Sequence, residues 1–184
     1  ISAGREKINA NQEIIDLVQA IGCKRGEKFN SKDIRYEKII IMTDADVDGA
    51  HISTLLMSFF YKEFPKLIDE GHLYLSVPPL FKISKGSKIL YAVDDKHRDQ
   101  IIKSEFKGGE VMINRFKGLG EMMPAQLKET TMSPENRTLL KVQIASKDKN
   151  KTKKSVEALM GKKPELRFKF IIDNSKSISA ENIL

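Results

Sequence analysis

Asp44, Asp46 and Asp48 stand at alternate positions directly before Gly49, and they are the residues of this 184-residue chain with the clearest capacity for chemistry. Carboxylates brought together repel one another unless a cation or a proton sits between them. A hard, oxygen-loving divalent ion is the natural occupant. Mg²⁺ suits a site with few carboxylates, retained waters and a phosphate from the substrate. An EF-hand calcium loop is excluded, because its twelfth position must be glutamate and that position, counted from Asp44, is Leu55. Capping of a following helix accounts for one of the aspartates but not for three. His51 lies one turn further on and could reach a phosphate, although a lone histidine is more often structural or solvated.

The elements around this loop follow from pattern. The run Lys38-Ile39-Ile40-Ile41-Met42-Thr43 is continuous and β-branched, which predicts a strand buried on both faces, as in a parallel sheet flanked by helices. The acidic loop then falls at the carboxyl end of that strand, the edge where open α/β sheets place their ligands. A helix is expected next, with Ile52, Leu55, Leu56, Phe59 and Phe60 on one broad face. Upstream, Asn11 caps a helix carrying Ile14, Leu17, Val18 and Ile21, and Gly22 stops it. Lys24 to Glu37 reads as loop.

Beyond Gly71 the pattern becomes strand-rich. Leu73–Val77, Leu80–Ser84 and Ile89–Val93 read as strands, with a turn over Lys85-Gly86-Ser87-Lys88. Asp94-Asp95 caps a helix through Ile101 and Ile102. Val111–Phe116 is a strand that runs into Lys117-Gly118-Leu119-Gly120-Glu121, where Gly118 and Gly120 permit close backbone approach. Pro124 opens a short helix to Leu127. Leu139–Ala145 reads as a strand, Lys153–Met160 as a helix closed by Gly161, and residues 165–173 as the last helix, followed by a polar tail from Ser175.

Lys plus Arg number 32 against 25 Asp plus Glu, a net charge of +7. Residues 141–169 hold ten basic and three acidic residues, so this stretch carries the whole excess and the rest balances at 22 against 22. A neutral body with a basic C-terminal region suits an anionic partner such as nucleic acid, or is simply a solvated lysine-rich face. No stretch approaches the roughly 18 apolar residues of a membrane span. A single cysteine, Cys23, excludes an intrachain disulfide framework and fits a reducing compartment.

Ile40-Ile41-Met42-Thr43-Asp44-Ala45-Asp46-Val47-Asp48-Gly49-Ala50-His51-Ile52 resembles the DxD region of the TOPRIM domain in the B subunits of bacterial type IIA DNA topoisomerases. Arg115-Phe116-Lys117-Gly118-Leu119-Gly120-Glu121-Met122 is similar to their second hallmark. So are Glu129-Thr130-Thr131-Met132, Asn136-Arg137-Thr138-Leu139-Leu140, His72-Leu73-Tyr74 and Pro78-Pro79-Leu80-Phe81. Between the two branches, Met123 stands where gyrase usually has asparagine. The run Met160-Gly161-Lys162-Lys163-Pro164-Glu165-Leu166-Arg167-Phe168-Lys169-Phe170-Ile171 looks more like the B subunits of topoisomerase IV. A gyrase B fragment is the alternative, and a non-catalytic DNA- or subunit-docking module is another. A DxD-dependent transferase is weak, because no nucleotide-binding glycine fingerprint accompanies the acids.

The resemblance implies an α/β fold: a TOPRIM-like, Rossmann-type parallel sheet, incomplete at its N-terminus, over residues 1–93. A smaller α+β tail over 94–184 would carry the RFKGLGEM loop and the basic segment. It implies Asp44 and Asp46 as Mg²⁺ ligands, with Asp48 a closer matter, as ligand or as holder of metal-bound water. His51, Arg115, Lys117 and Arg167 would lie near DNA phosphates. The intact enzyme would be a bacterial, cytoplasmic, nucleoid-associated A2B2 heterotetramer. In it, this subunit joins the topoisomerase IV A subunit on double-stranded DNA and uses ATP through a module of the full-length subunit. The nucleophilic tyrosine belongs to the A subunit, and an upstream glutamate in an EGDSA motif completes the acids. Both are outside this sequence, so it holds no catalytic residue of its own. The chain starts at Ile1-Ser2-Ala3-Gly4, as if just after the family's PLRGKILN motif, and by itself is expected to be inactive.

Overall fold

The structure, a computed structural model, describes residues 5–107 and 110–175. The expectations for the start at Ile1 and for a polar tail past Ser175 fall outside the described residues. The chain divides into two compact units, residues 1–37, 57–71 and 143–184 in one and 38–56 and 72–142 in the other.

The first unit is helical. It holds α1 (Arg5–Ala10), α2 (Gln12–Ile21), α4 (Pro65–Asp69), α7 (Lys149–Met160) and α8 (Pro164–Ser175), with the last residues of α3 (Val47–Glu63). The α2 boundaries follow the caps: Asn11 accepts a hydrogen bond from Ile14 N at 2.9 Å, and Gly22 takes φ +89° as the left-handed stop. Phe60, Phe64 and Leu67 are almost wholly buried, and Phe59 meets Phe60 and Phe64 edge-on at 5.5 and 5.8 Å between ring centres. These rings pack against one another. The segment read as loop contains two 3₁₀ turns, Gly26–Lys28 and Ser31–Asp33.

The second unit carries the sheets. β1 (Ile39–Ile41) pairs in parallel with β2 (Leu73–Val77), and β6 (Thr138–Lys141) adds antiparallel on the other side of β2. The chain is α/β as expected, but this sheet is mixed. Among the described residues β1 lies at one edge of it; Ile39 and Ile40 are half-buried and only Ile41 is buried, not the whole run on both faces. The second sheet has the order β4-β3-β5, from β3 (Phe81–Lys85), β4 (Lys88–Ala92) and β5 (Met112–Arg115). Its apolar face, Phe81, Ile83 and Ala92, packs with Phe106 and with Ile101 and Ile102 of α5 (Asp95–Glu105). A short α6 (Pro124–Leu127) runs into a π-helical turn, Lys128–Met132.

The apolar face expected on α3 is rotated. Ser53 and Phe60 point inward, while Ile52 and Leu55 are 50% and 45% exposed. A helix turns about 100° per residue, so positions one removed from the inward stripe face outward.

Candidate functional site

The acidic loop is built by β1 and the start of α3. Thr43 follows β1, and its hydroxyl lies 2.8 Å from the Ser53 hydroxyl, which donates to the Gly49 carbonyl at 2.6 Å. Ser53 has one proton and spends it on Gly49, so Thr43 is the donor in the first bond. The strand end and the first turn of α3 are thereby tied together. Asp46 sits just before α3: its Oδ1 accepts from Gly49 N at 2.7 Å, and its carbonyl accepts from Ala50 N at 3.0 Å. That is the geometry of a helix N-cap.

Asp44, Asp46 and Asp48 are all exposed. Among the described residues no group of three His, Cys, Asp or Glu side chains is placed to hold a metal. The donors are carboxylate oxygens open to water, which fits a hard divalent ion held by one or two protein ligands and water and does not fit a closed cage. Asp44 and Asp46 remain candidates to hold such an ion, with Asp46 also committed to its helix.

What the structure does bring together is the acidic loop and the glycine turn. Leu119 N donates to Asp44 Oδ1 at 2.8 Å. Gly118 lies against the same carboxylate, so that a Cβ on it would stand 2.9 Å from Asp44 Cγ. The turn is a 3₁₀ segment, Leu119–Glu121, closed by the Glu121 carboxylate, which accepts from Lys117 N at 2.8 Å. Phe116 and Met122 anchor its two ends in the interior. A hollow bordered by Ala45, Pro79 and Leu119 amounts to about 10 Å³, room for no more than about one water. Close approach was expected of both glycines, but only Gly118 shows it, since nothing lies within 4 Å of a Cβ on Gly120.

The residues expected at phosphates fall on several elements. His51 is exposed on the first turns of α3. Arg115 is exposed at the end of β5, its guanidinium 5.8 Å from the Phe81 ring centre, and Arg98 lies over the same ring at 4.9 Å. Lys117 is exposed at the turn. Arg167 belongs to the helical unit, where its Nη1 donates to the Gly161 carbonyl at 2.7 Å and so caps the end of α7. Leu119 and Glu121 were not read as site residues. The signal for them was the pair of glycines around Leu119, which marked a backbone approached closely without showing by what.

The chain is an α/β protein in which a strand delivers an aspartate loop onto a helix start, met from the side by a glycine turn. Residues 6–78 match the family model described as Toprim domain, and residues 108–172 match the one described as DNA gyrase B subunit, carboxyl terminus. The chain is 57% identical over 175 residues to the DNA topoisomerase 4 B subunit of Bartonella bacilliformis, covering 95% of this chain and 25% of that protein. Against the DNA topoisomerase 4 B subunit of Caulobacter vibrioides the identity is 52%, over 98% of this chain and 26% of the relative. The DNA gyrase B subunit of Archaeoglobus fulgidus is 46% identical, over 96% and 27%. The chain thus belongs to the family of type II DNA topoisomerase B subunits, and it spans about a quarter of the length of the curated relatives it matches.

Proposed function

We propose that this chain is the metal-binding and tail region of a topoisomerase IV B subunit, acting in double-strand DNA cleavage and religation and through it in chromosome decatenation and relaxation. The observation that carries this is the acidic loop at the carboxyl end of β1, inside the span that matches the Toprim domain. The topoisomerase IV branch is favoured over gyrase because relatives named for it reach 57% identity, against 46% for the gyrase relative.

In this reading Asp44 and Asp46 hold Mg²⁺ and Asp48 orients the loop or its water. Bound Mg²⁺ supplies neutralisation of the charge that builds on phosphate oxygens during strand transfer. Asp46 can serve both roles, because a carboxylate has two oxygens and the Gly49 bond uses one of them. His51, Arg115 and Lys117 are exposed cations or potential cations available to backbone phosphates. Arg167 gives one of its five N–H groups to Gly161 and keeps a guanidinium charge for DNA. The tyrosine comes from the A subunit, and the remaining acid and the ATP module come from the rest of the full-length B subunit. The assembly is A2B2, in the bacterial cytoplasm on the nucleoid. Among the described residues no helix is long and apolar enough to cross a membrane.

The basic segment has a physical reason to seek an anion. Lys149, Lys151, Lys153 and Lys154 are exposed on the first half of α7, and its first turn holds no acidic side chain. Lys149 and Lys151 lie in the first turn, where a cation opposes the helix dipole by about 0.3–1 kcal/mol, and Lys149 is partly offset by Asp69 at 3.5 Å. A DNA backbone would relieve that, which predicts strongly salt-dependent, sequence-tolerant binding. The role of residues 1–93 as the acid-bearing part and of 94–184 as turn and tail belongs to the same proposal. The matched spans, 6–78 and 108–172, support it.

The test uses the full-length B subunit with its A partner. Asp44→Ala should abolish Mg²⁺-dependent cleavage, and undiminished cleavage would refute the assignment. Decatenation without negative supercoiling by the wild-type pair separates topoisomerase IV from gyrase.

A further inference from the structure

We propose that the turn from Lys117 to Glu121 is a positioning device for Asp44, setting the orientation of its carboxylate for the divalent ion; the proposal rests on the Mg²⁺ reading above. The bond from Leu119 N to Asp44 Oδ1, 2.8 Å long, joins residues 75 apart in the chain. Each side of it is secured separately. Asp44 follows Thr43, which is tied through Ser53 to α3. The turn is fixed by Phe116 N on the Leu80 carbonyl at 2.8 Å and by Glu121 on Lys117 N.

Space, and not backbone freedom, accounts for the glycine. Gly118 has φ −159° and ψ 172°, an extended setting open to any residue. A Cβ there would lie 2.9 Å from both Cγ and Oδ2 of Asp44, so a side chain at this position forces the carboxylate or the turn to shift. A carboxylate left alone rotates freely about its Cβ–Cγ bond. One N–H on Oδ1 stops that rotation and leaves the other acceptor positions directed outward for a cation. Carboxylates that ligate metals are commonly held in this way, and losing the holding bond costs about ten- to a hundredfold in metal affinity.

Leu119→Pro tests the idea with little disturbance. Leu119 opens a 3₁₀ turn and follows an extended residue, settings that proline and its predecessor accept, so the substitution removes the N–H without breaking the turn. Gly118→Ala is the second variant. The full-length B subunit, which supplies the remaining acid, is titrated with Mg²⁺ alone, and affinity is read by calorimetry and by ¹⁵N amide shifts of residues 44–49. Melting temperature serves as the fold control. Wild type should shift those amides, and Leu119→Pro and Gly118→Ala should bind about tenfold or more weakly with a melting temperature close to wild type. Affinity equal to wild type in a folded variant would overturn the positioning role and leave the Mg²⁺ reading standing. Tighter binding by Leu119→Pro would overturn it as well, because the turn would then compete with the ion. No Mg²⁺-dependent shift in wild type would remove the metal reading and the positioning role together. If Leu119→Pro fails to fold, the Gly118→Ala affinity decides.

Discussion

Gly49 rests on the peptide of Asp44: a Cβ built on the glycine would overlap the Asp44 carbonyl oxygen and stand 2.9 Å from its carbonyl carbon. The first turn of α3 therefore passes the acidic loop at a distance only glycine permits. Gly49→Ala should displace residues 44–46 and destabilise the chain by about 1–3 kcal/mol, the usual range for overpacking. At this size that is roughly 2–4 °C in melting temperature per kcal/mol. A scanning calorimetry trace matching wild type, with unmoved amide shifts at residues 43–46, would contradict the contact.

Asp46 combines two jobs that substitution can separate. Asp46→Ala removes the N-cap bond to Gly49 N and should lose about 0.5–2 kcal/mol. Asp46→Asn keeps an oxygen for the cap and should stay close to wild type in stability, yet it removes the charge proposed for the metal. Thermal denaturation paired with Mg²⁺ titration reads both. A stable Asp46→Asn chain that binds Mg²⁺ as well as wild type would leave Asp46 with its capping role alone.

Lys88 and Glu105 give a pH dependence with a definite sign. The Lys88 ammonium bonds the Glu105 carboxylate at 2.7 Å, linking β4 to α5, and that bond holds the carboxyl below its usual range. A carboxylate with a depressed folded value stabilises the fold above the usual range, about pH 4.3, and loses that contribution as pH falls through the folded value. Both side chains are about half exposed, so the effect is modest and sensitive to salt. Glu105→Gln should melt slightly lower than wild type at pH 7, with the gap closing as pH drops through the carboxylate range. A gap that widens on acidification would reverse the argument.

Cys23 should be inert in the native chain. It is 3% exposed, and burial pushes the thiol up, with the Asp33 carboxylate acting in the same direction. Only the thiolate reacts, and here it is both scarce and shielded. A colorimetric thiol reagent should label the native chain slowly and the denatured chain promptly. Immediate stoichiometric labelling at neutral pH would show that the site opens.

Local features were legible where a few neighbouring residues decide the outcome. Asn11 and Gly22 delimit α2, Asp94 caps α5 by accepting from His97 N at 2.7 Å, and the turn at Gly86 closes the β3–β4 hairpin, all from short-range chemistry. Burial was less legible, because it depends on which elements flank each one. The isoleucines of β1 predicted a strand with both faces covered, but two of them are half-buried. At the site, the three aspartates were plain, whereas their allocation was not. Asp46 went to the helix and Asp44 to a backbone N–H 75 residues away, and no periodicity encodes a contact of that span. The glycine pair around Leu119 marked a crowded spot. Tertiary packing alone determined that the crowding falls on Gly118 and that the neighbour is Asp44.

The pairing of β2 with β6 matters for how such a chain comes off the ribosome. Tyr74 aligns with Lys141 and Val77 with Thr138, so a strand from the first matched span is completed by one from the second. During synthesis β1 and β2 emerge some sixty residues before their third strand, with one edge of β2 open until then. Non-local pairing of this kind slows folding. The two spans can divide their roles, yet a gene fusion or truncation that cuts between them would strand half a sheet.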